Sequence, residues 1–132
     1  MIRTLILLFL FTGISISKNS FCQGPYNFLP GIHLTEKNGN YIFESYVINL
    51  SEINIHNLSY SFTLHKNGKS GTNTSKQSGS FSIAPKDSLS LSKISVNGSP
   101  GDNCMTQLKL FKDSMLVAEE TKHFRFPVTD NK

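Results

Sequence analysis

The stretch "NLSYSFTLH" (57–65) sets Leu58, Tyr60, Phe62 and Leu64 against Ser59, Ser61 and Thr63. A period of two sustained over eight residues predicts a strand with one buried and one wet face. The same logic runs along most of the chain. "GIHLTE" (31–36) and "YIFESYVINL" (41–50) flank "KNGN" (37–40), whose Asn38-Gly39 pair predicts a tight hairpin turn. "SFSIA" (80–84) puts Phe81 and Ile83 in phase, and Pro85 to Asp87 make a turn. "SLSLSKISV" (88–96) holds Leu89 and Leu91 in one phase and Ile94 and Val96 in the other, which predicts a bulge near Ser92-Lys93. After the turn-rich "NGSPGD" (97–102), "CMTQLKLFK" (104–112) and "MLVAEETKHF" (115–124) form a hairpin around Asp113-Ser114.

No segment past residue 22 carries a 3.6-residue apolar period. About seven short strands with a turn signal roughly every ten residues predict an all-β chain. The fold class that fits is an immunoglobulin-like antiparallel β-sandwich. The Cys…Trp…Cys core of antibody domains is missing, since the chain has no Trp and only two Cys. Ten Phe and four Tyr supply the core volume instead.

The N-terminus reads differently. Arg3, the apolar run "LILLFLF" (5–11) and a polar exit form a secretory signal peptide over residues 1–22. The run is too short to span a bilayer, which takes ~20 apolar residues. Cleavage before Gln23 places Ser20 and Cys22 at the small-residue positions; lipidation of Cys22 is the alternative, poorly served by Phe21. The remaining organisation is a sandwich domain over 23–126 and a flexible tail over 127–132. Removing the signal takes Arg3 and Lys18 with it, so eleven basic residues face nine acidic ones and net charge falls from +4 to +2. That balance does not predict nucleic-acid binding, which needs a clustered basic face. Nor is a membrane partner expected once the signal is removed. Cys104 is then the lone cysteine, with no disulfide partner and no basic neighbour in sequence to activate it.

Candidate chemistry is sparse. "SLSK" (90–93), "SVN" (95–97) and "KSG" (69–71) imitate fragments of a serine acylase. On a strand, however, Ser90 and Lys93 should point to opposite faces, and the order of the fragments is wrong. His33, His56, His65 and His123 stand far apart with no second ligand at a metal-site spacing, so no metal and no cofactor are expected. The chain is therefore expected not to be an enzyme. Sequons begin at Asn49, Asn57, Asn73 and Asn97.

The least strand-like stretch is "GKSGTNTSKQSGSF" (68–81), with a single large apolar side chain, Phe81. Asn67-Gly68 predicts a turn that "GKSG" continues. In the next residues Thr72, Thr74 and Lys76 would share one face, and Asn73, Ser75 and Gln77 the other. Neither face is apolar, so a central strand is excluded. What fits is an edge strand guarded by Lys69 and Lys76, left bare to solvent or offering its backbone to a partner.

The run from Leu64 to Val96 resembles the centre of the CsgH/CsgC family of curli assembly proteins, CsgH most strongly. Tyr60, Gly68, Gly71, Ser75, Gln77, Gly79 and Phe81 occupy the places of that family's Tyr-led strand, Lys-x-Gly turn and Gly/Ser/Thr-rich segment ending in Gln-Ser-Gly-x-Phe. The resemblance implies a periplasmic immunoglobulin-like sandwich that acts as a chaperone. It would inhibit premature amyloid formation by curlin subunits, the major subunit above all, and act as a monomer. It implies client binding rather than catalysis; from the polar composition of the strand, Lys69, Thr72, Asn73, Thr74, Ser75, Lys76 and Gln77 are the expected client-binding set. Tyr60, Gly68, Gly71, Gly79 and Phe81 are the structural motif. The family's C-x-C pair is absent, which removes a thiol oxidoreductase role. A generic secreted adhesion or carbohydrate-binding module is the competing expectation.

Overall fold

The computed structural model describes residues 27–69 and 71–128. The signal peptide lies outside the described residues, as does the tail beyond Val128. Seven antiparallel strands follow in chain order: β1 (Phe28–Lys37), β2 (Asn40–Asn49), β3 (Ile55–Gly68), β4 (Gly71–Ile83), β5 (Ser88–Val96), β6 (Asn103–Lys112) and β7 (Met115–Arg125). They form a three-stranded sheet in the order β1-β2-β5 and a four-stranded sheet in the order β4-β3-β6-β7. The alternation signals thus resolve into the expected immunoglobulin-like sandwich. Strand β4 pairs with β3 rather than with β5, so the chain crosses between sheets after β4.

The hairpin turns obey local chemistry. Asn38 and Gly39 have φ of 52° and 83°, and Asp113 and Ser114 have φ of 52° and 71°. Two left-handed residues give the turn whose twist matches a β-hairpin. The turn after β3 departs from expectation. Strand β3 continues through Asn67 to Gly68, which pairs with Gly71, so the turn comes after Gly68 and not at Asn67-Gly68. Asn67 is instead held between Thr72 and Asn103 on the neighbouring strands, and ladder pairing overrides the local turn preference.

The bulge in β5 is real and sits one residue from its expected place. Ser45 pairs with Ser92 and Tyr46 with Ser90, so Leu91 is the extra residue. The bulge returns Leu89, Ile94 and Val96 to the inward face. It also returns Ser90 and Lys93 to one face, correcting the expectation that they diverge. There Ser90 Oγ donates to Glu44 at 2.5 Å on the exposed sheet surface.

The core lies between the sheets. Phe43 and Val47 of the smaller sheet meet Leu58, Phe62, Leu64, Leu108 and Leu110 of the larger, all essentially inaccessible. One end is pinned by aromatic rings. Tyr41 and Phe126 pack edge-on at 4.8 Å, and Phe124 lies 5.2 Å from Phe126 and 6.1 Å from Phe43. This cluster ties β2 to β7 where a disulfide or Trp is lacking; each such pair adds ~0.5–1.5 kcal/mol beyond its burial. The other end is held by Asn49, whose buried amide the sequence marked only as a sequon. Its Nδ2 donates to Ile53 and Ala84 carbonyls at 2.9 and 3.0 Å, and its Oδ1 accepts from Ser51. A side chain so occupied is unavailable for glycosylation in the folded protein.

Candidate functional site: an open strand edge

Two open sheets have four edges, and each edge strand presents unpaired backbone groups that must be managed. Strand β1 carries Pro30, which has no N–H to offer. Strand β7 carries Glu119, Glu120, Lys122 and Arg125 within eleven residues, a charged edge that resists pairing. On β5, the Leu91 carbonyl accepts from Tyr60 Oη at 3.2 Å and the Lys93 carbonyl from Gln77 Nε2 at 3.1 Å. Side chains of the other sheet thereby occupy this edge.

Strand β4 has none of these defences except Lys76. It runs thirteen residues without proline and pairs on one side only. In an antiparallel strand the N–H and C=O groups of alternate residues point away from the partner. Along β4 those groups have no partner strand. This is the geometry that accepts an added strand.

The motif residues explain how so polar a strand stays in place. Tyr60 stands opposite Gly79. A Cβ at Gly79 would lie 3.0 Å from the Tyr60 ring, so the ring covers the glycine and fills the space a side chain would take. The Phe81 ring is 6.3 Å away, and Tyr60 Oη reaches across to the β5 bulge. Tyr60, Gly79 and Phe81 therefore form one unit that anchors the C-terminal half of β4. Gly68 and Gly71 face each other at the hairpin end. A Cβ at Gly68 would fall 2.0 Å from the carboxylate of buried Asp102 and 2.9 Å from its Cα, so only glycine fits there. Gly71, at φ 111°, adopts a conformation that a side chain disfavours.

The expected client-binding residues fall on both faces of β4, as their alternation requires. Thr72, Thr74 and Lys76 lie on the outer face of the larger sheet, opposite Asn67, His65 and Thr63. Thr74 Oγ1 is 2.8 Å from His65 Nδ1. Asn73, Ser75 and Gln77 lie on the side toward β5, and Gln77 is already hydrogen-bonded there. Lys69 is exposed in the turn, apart from the others. The set is thus a strand with two rows of side chains, and its common feature is the free backbone edge. Sequence composition indicated the edge; the side-chain caps on β5, which leave β4 the open one, join residues 16 and 31 apart and had no local signal.

Cys104 is buried at 3% exposure, opposite Lys66 and Phe124. Burial pushes its thiol up to about 11, against a partial opposing pull from the Lys66 ammonium. Against an ordinary thiol, that leaves ~100-fold less thiolate at pH 8. Alkylation by iodoacetamide at pH 8 should therefore run at least about 100-fold slower in the native protein than in urea, read by mass spectrometry. Because the folded state holds this proton more tightly, stability should fall as pH rises from 9 toward 11. Among the described residues no three His, Cys, Asp or Glu side chains group closely enough to hold a metal.

The architecture defines a seven-stranded sandwich with one undefended edge. Its fold is that of two solved proteins. E. coli curli protein CsgC superposes with a TM-score of 0.61 at 18% identity, covering 72% of this chain and 97% of that one. R. palustris CsgH superposes with a TM-score of 0.57 at 14% identity, covering 72% of this chain and 90% of that one. The chain thus has a CsgH/CsgC-like fold, in line with the resemblance carried by residues 64–96. No protein-family model matches the sequence, and no curated protein does.

Proposed function

We propose that this chain is a non-catalytic periplasmic binding protein that holds back amyloid assembly by curlin-type subunits during curli biogenesis. The observation that carries it is the open β4 edge on a curli-protein fold. Amyloid grows by adding strands to an edge, and its strands are stabilised by stacked side-chain zippers. Strand β4 offers the pairing groups without the zipper. From Thr72 to Ser78 its faces carry Ser, Thr, Asn and Gln, with Lys76 on the outer one. A client strand can pair with β4 through its main chain, but no apolar layer locks the pair or recruits the next strand.

The competing sugar-binding module fits less well. Such modules stack sugar rings on exposed aromatics. Here every Phe and Tyr ring among the described residues is buried or half-buried, and the exposed large apolar side chains are Leu, Ile, Met and Val. The test is to add the purified protein to a curlin fibrillation assay at low molar ratio and follow dye fluorescence. A lag lengthened several-fold is expected. An unchanged lag at equimolar protein contradicts the proposal.

A further inference from the structure

The outer face of the larger sheet brings together three side chains that lie far apart in sequence. His65 on β3 stands opposite Met105 on β6, and Met105 opposite His123 on β7. Directly opposed residues of antiparallel strands share a face, with Cβ atoms ~4.5–5.5 Å apart. The two imidazoles therefore flank the thioether, separated by two strand spacings, about 10 Å. All three border one shallow depression on the sheet, with Asn67, Asn103 and Arg125 around it. Met105 is 38% exposed, so its thioether is not committed to the core.

The ring of His65 is already oriented. Its Nδ1 lies 2.8 Å from Thr74 Oγ1 on β4. With Nδ1 engaged by Thr74, Nε2 is the ring nitrogen left to a ligand. A hydrogen bond at one ring nitrogen that aims the other is the usual support of a metal-binding histidine.

We propose that His65, Met105 and His123 bind Cu(I). The donor set is one thioether and two imidazoles. Thioethers select soft ions such as Cu(I), and imidazole also suits copper. No carboxylate borders the depression, and the Arg125 guanidinium stands at its rim. That charge pattern works against a hard divalent cation, which seeks oxygen ligands, and penalises a monovalent ion less. Cys104 also borders the depression, but it is buried and stands opposite Lys66 and Phe124 on the inward face of β6, so its thiol is not counted among the donors. The site lies beside the β4 edge and shares Thr74 with it.

Purified protein should be titrated anaerobically against a chromogenic Cu(I) chelator. Ag(I) then serves as a redox-silent probe of the methionine methyl groups by NMR. Wild type should withdraw one equivalent of Cu(I), and the Met105 methyl should shift. Met115, exposed at the β6–β7 hairpin with no histidine opposite, is the internal control and should not move. Met105→Leu and His123→Ala should each lower Cu(I) affinity about tenfold or more, with far-UV circular dichroism unchanged. The proposal is overturned if wild type withdraws no Cu(I), if Met105→Leu withdraws as much as wild type, or if the shift appears at Met115 instead.

Discussion

Phe62→Ala should destabilise the folded protein by about 3–5 kcal/mol, the cost of emptying an aromatic site in a packed core. Phe62 is wholly inaccessible and sits on β3, paired with both β4 and β6. It lies in the larger sheet, in one core cluster with Phe43 and Val47 of the smaller sheet. A domain of this size is stable by roughly 5–15 kcal/mol in total. The loss is therefore a third or more of the whole, and the melting temperature should fall on the order of 15 °C. Urea denaturation monitored by circular dichroism measures it. A midpoint within error of wild type would mean that β3 is not the centre of the core.

The second large effect concerns function and leaves the core alone. Replacing Thr72 to Gln77 with Gly and Ser should abolish the lengthening of the curlin lag. The replaced side chains are exposed or half-buried, and the bonds lost are Thr74 to His65 and Gln77 to Lys93. Each neutral bond is worth ~0.5–1.5 kcal/mol, so the domain should remain folded. What disappears is the ordered edge, because Gly and Ser favour neither strand nor template. A companion variant, Asn73→Lys with Ser75→Lys, keeps the strand and adds charge that opposes pairing. It too should lose most of the inhibition. The matching replacement of Glu119 to Lys122 on β7 should retain it. Inhibition by both β4 variants at wild-type strength would remove the edge from the account.

How legible was this in the sequence? Alternation located most of the strands, because a half-buried strand writes its period directly into the side chains, as Leu58 to Leu64 do; on β4 only Phe81 and Ile83 carry it. Asn38-Gly39 and Asp113-Ser114 marked their turns, since few residues tolerate φ above zero. Asn67-Gly68 misled for the same reason: the pair can turn, but β4 and β6 hold it extended. The bulge was visible as a phase change between Leu91 and Ile94, and only its exact residue needed the register. Polarity on both faces of 72–77 identified an edge strand. Which edge is left open was not legible, since it depends on Tyr60 and Gln77 reaching β5 from other strands. Asn49 and Asp102 were equally hidden, because buried polar residues look like loop residues until their partners are seen.

The central claim is that an amyloid-forming client pairs with the free edge of β4. Backbone hydrogen exchange, resolved by residue, tests it most directly when the protein is mixed with monomeric curlin subunit. Alternate amides between Thr72 and Ser78, open to solvent in the free protein, should become protected, while those along β7 stay unchanged. Unaltered exchange along β4, with protection appearing on another strand, would contradict the account.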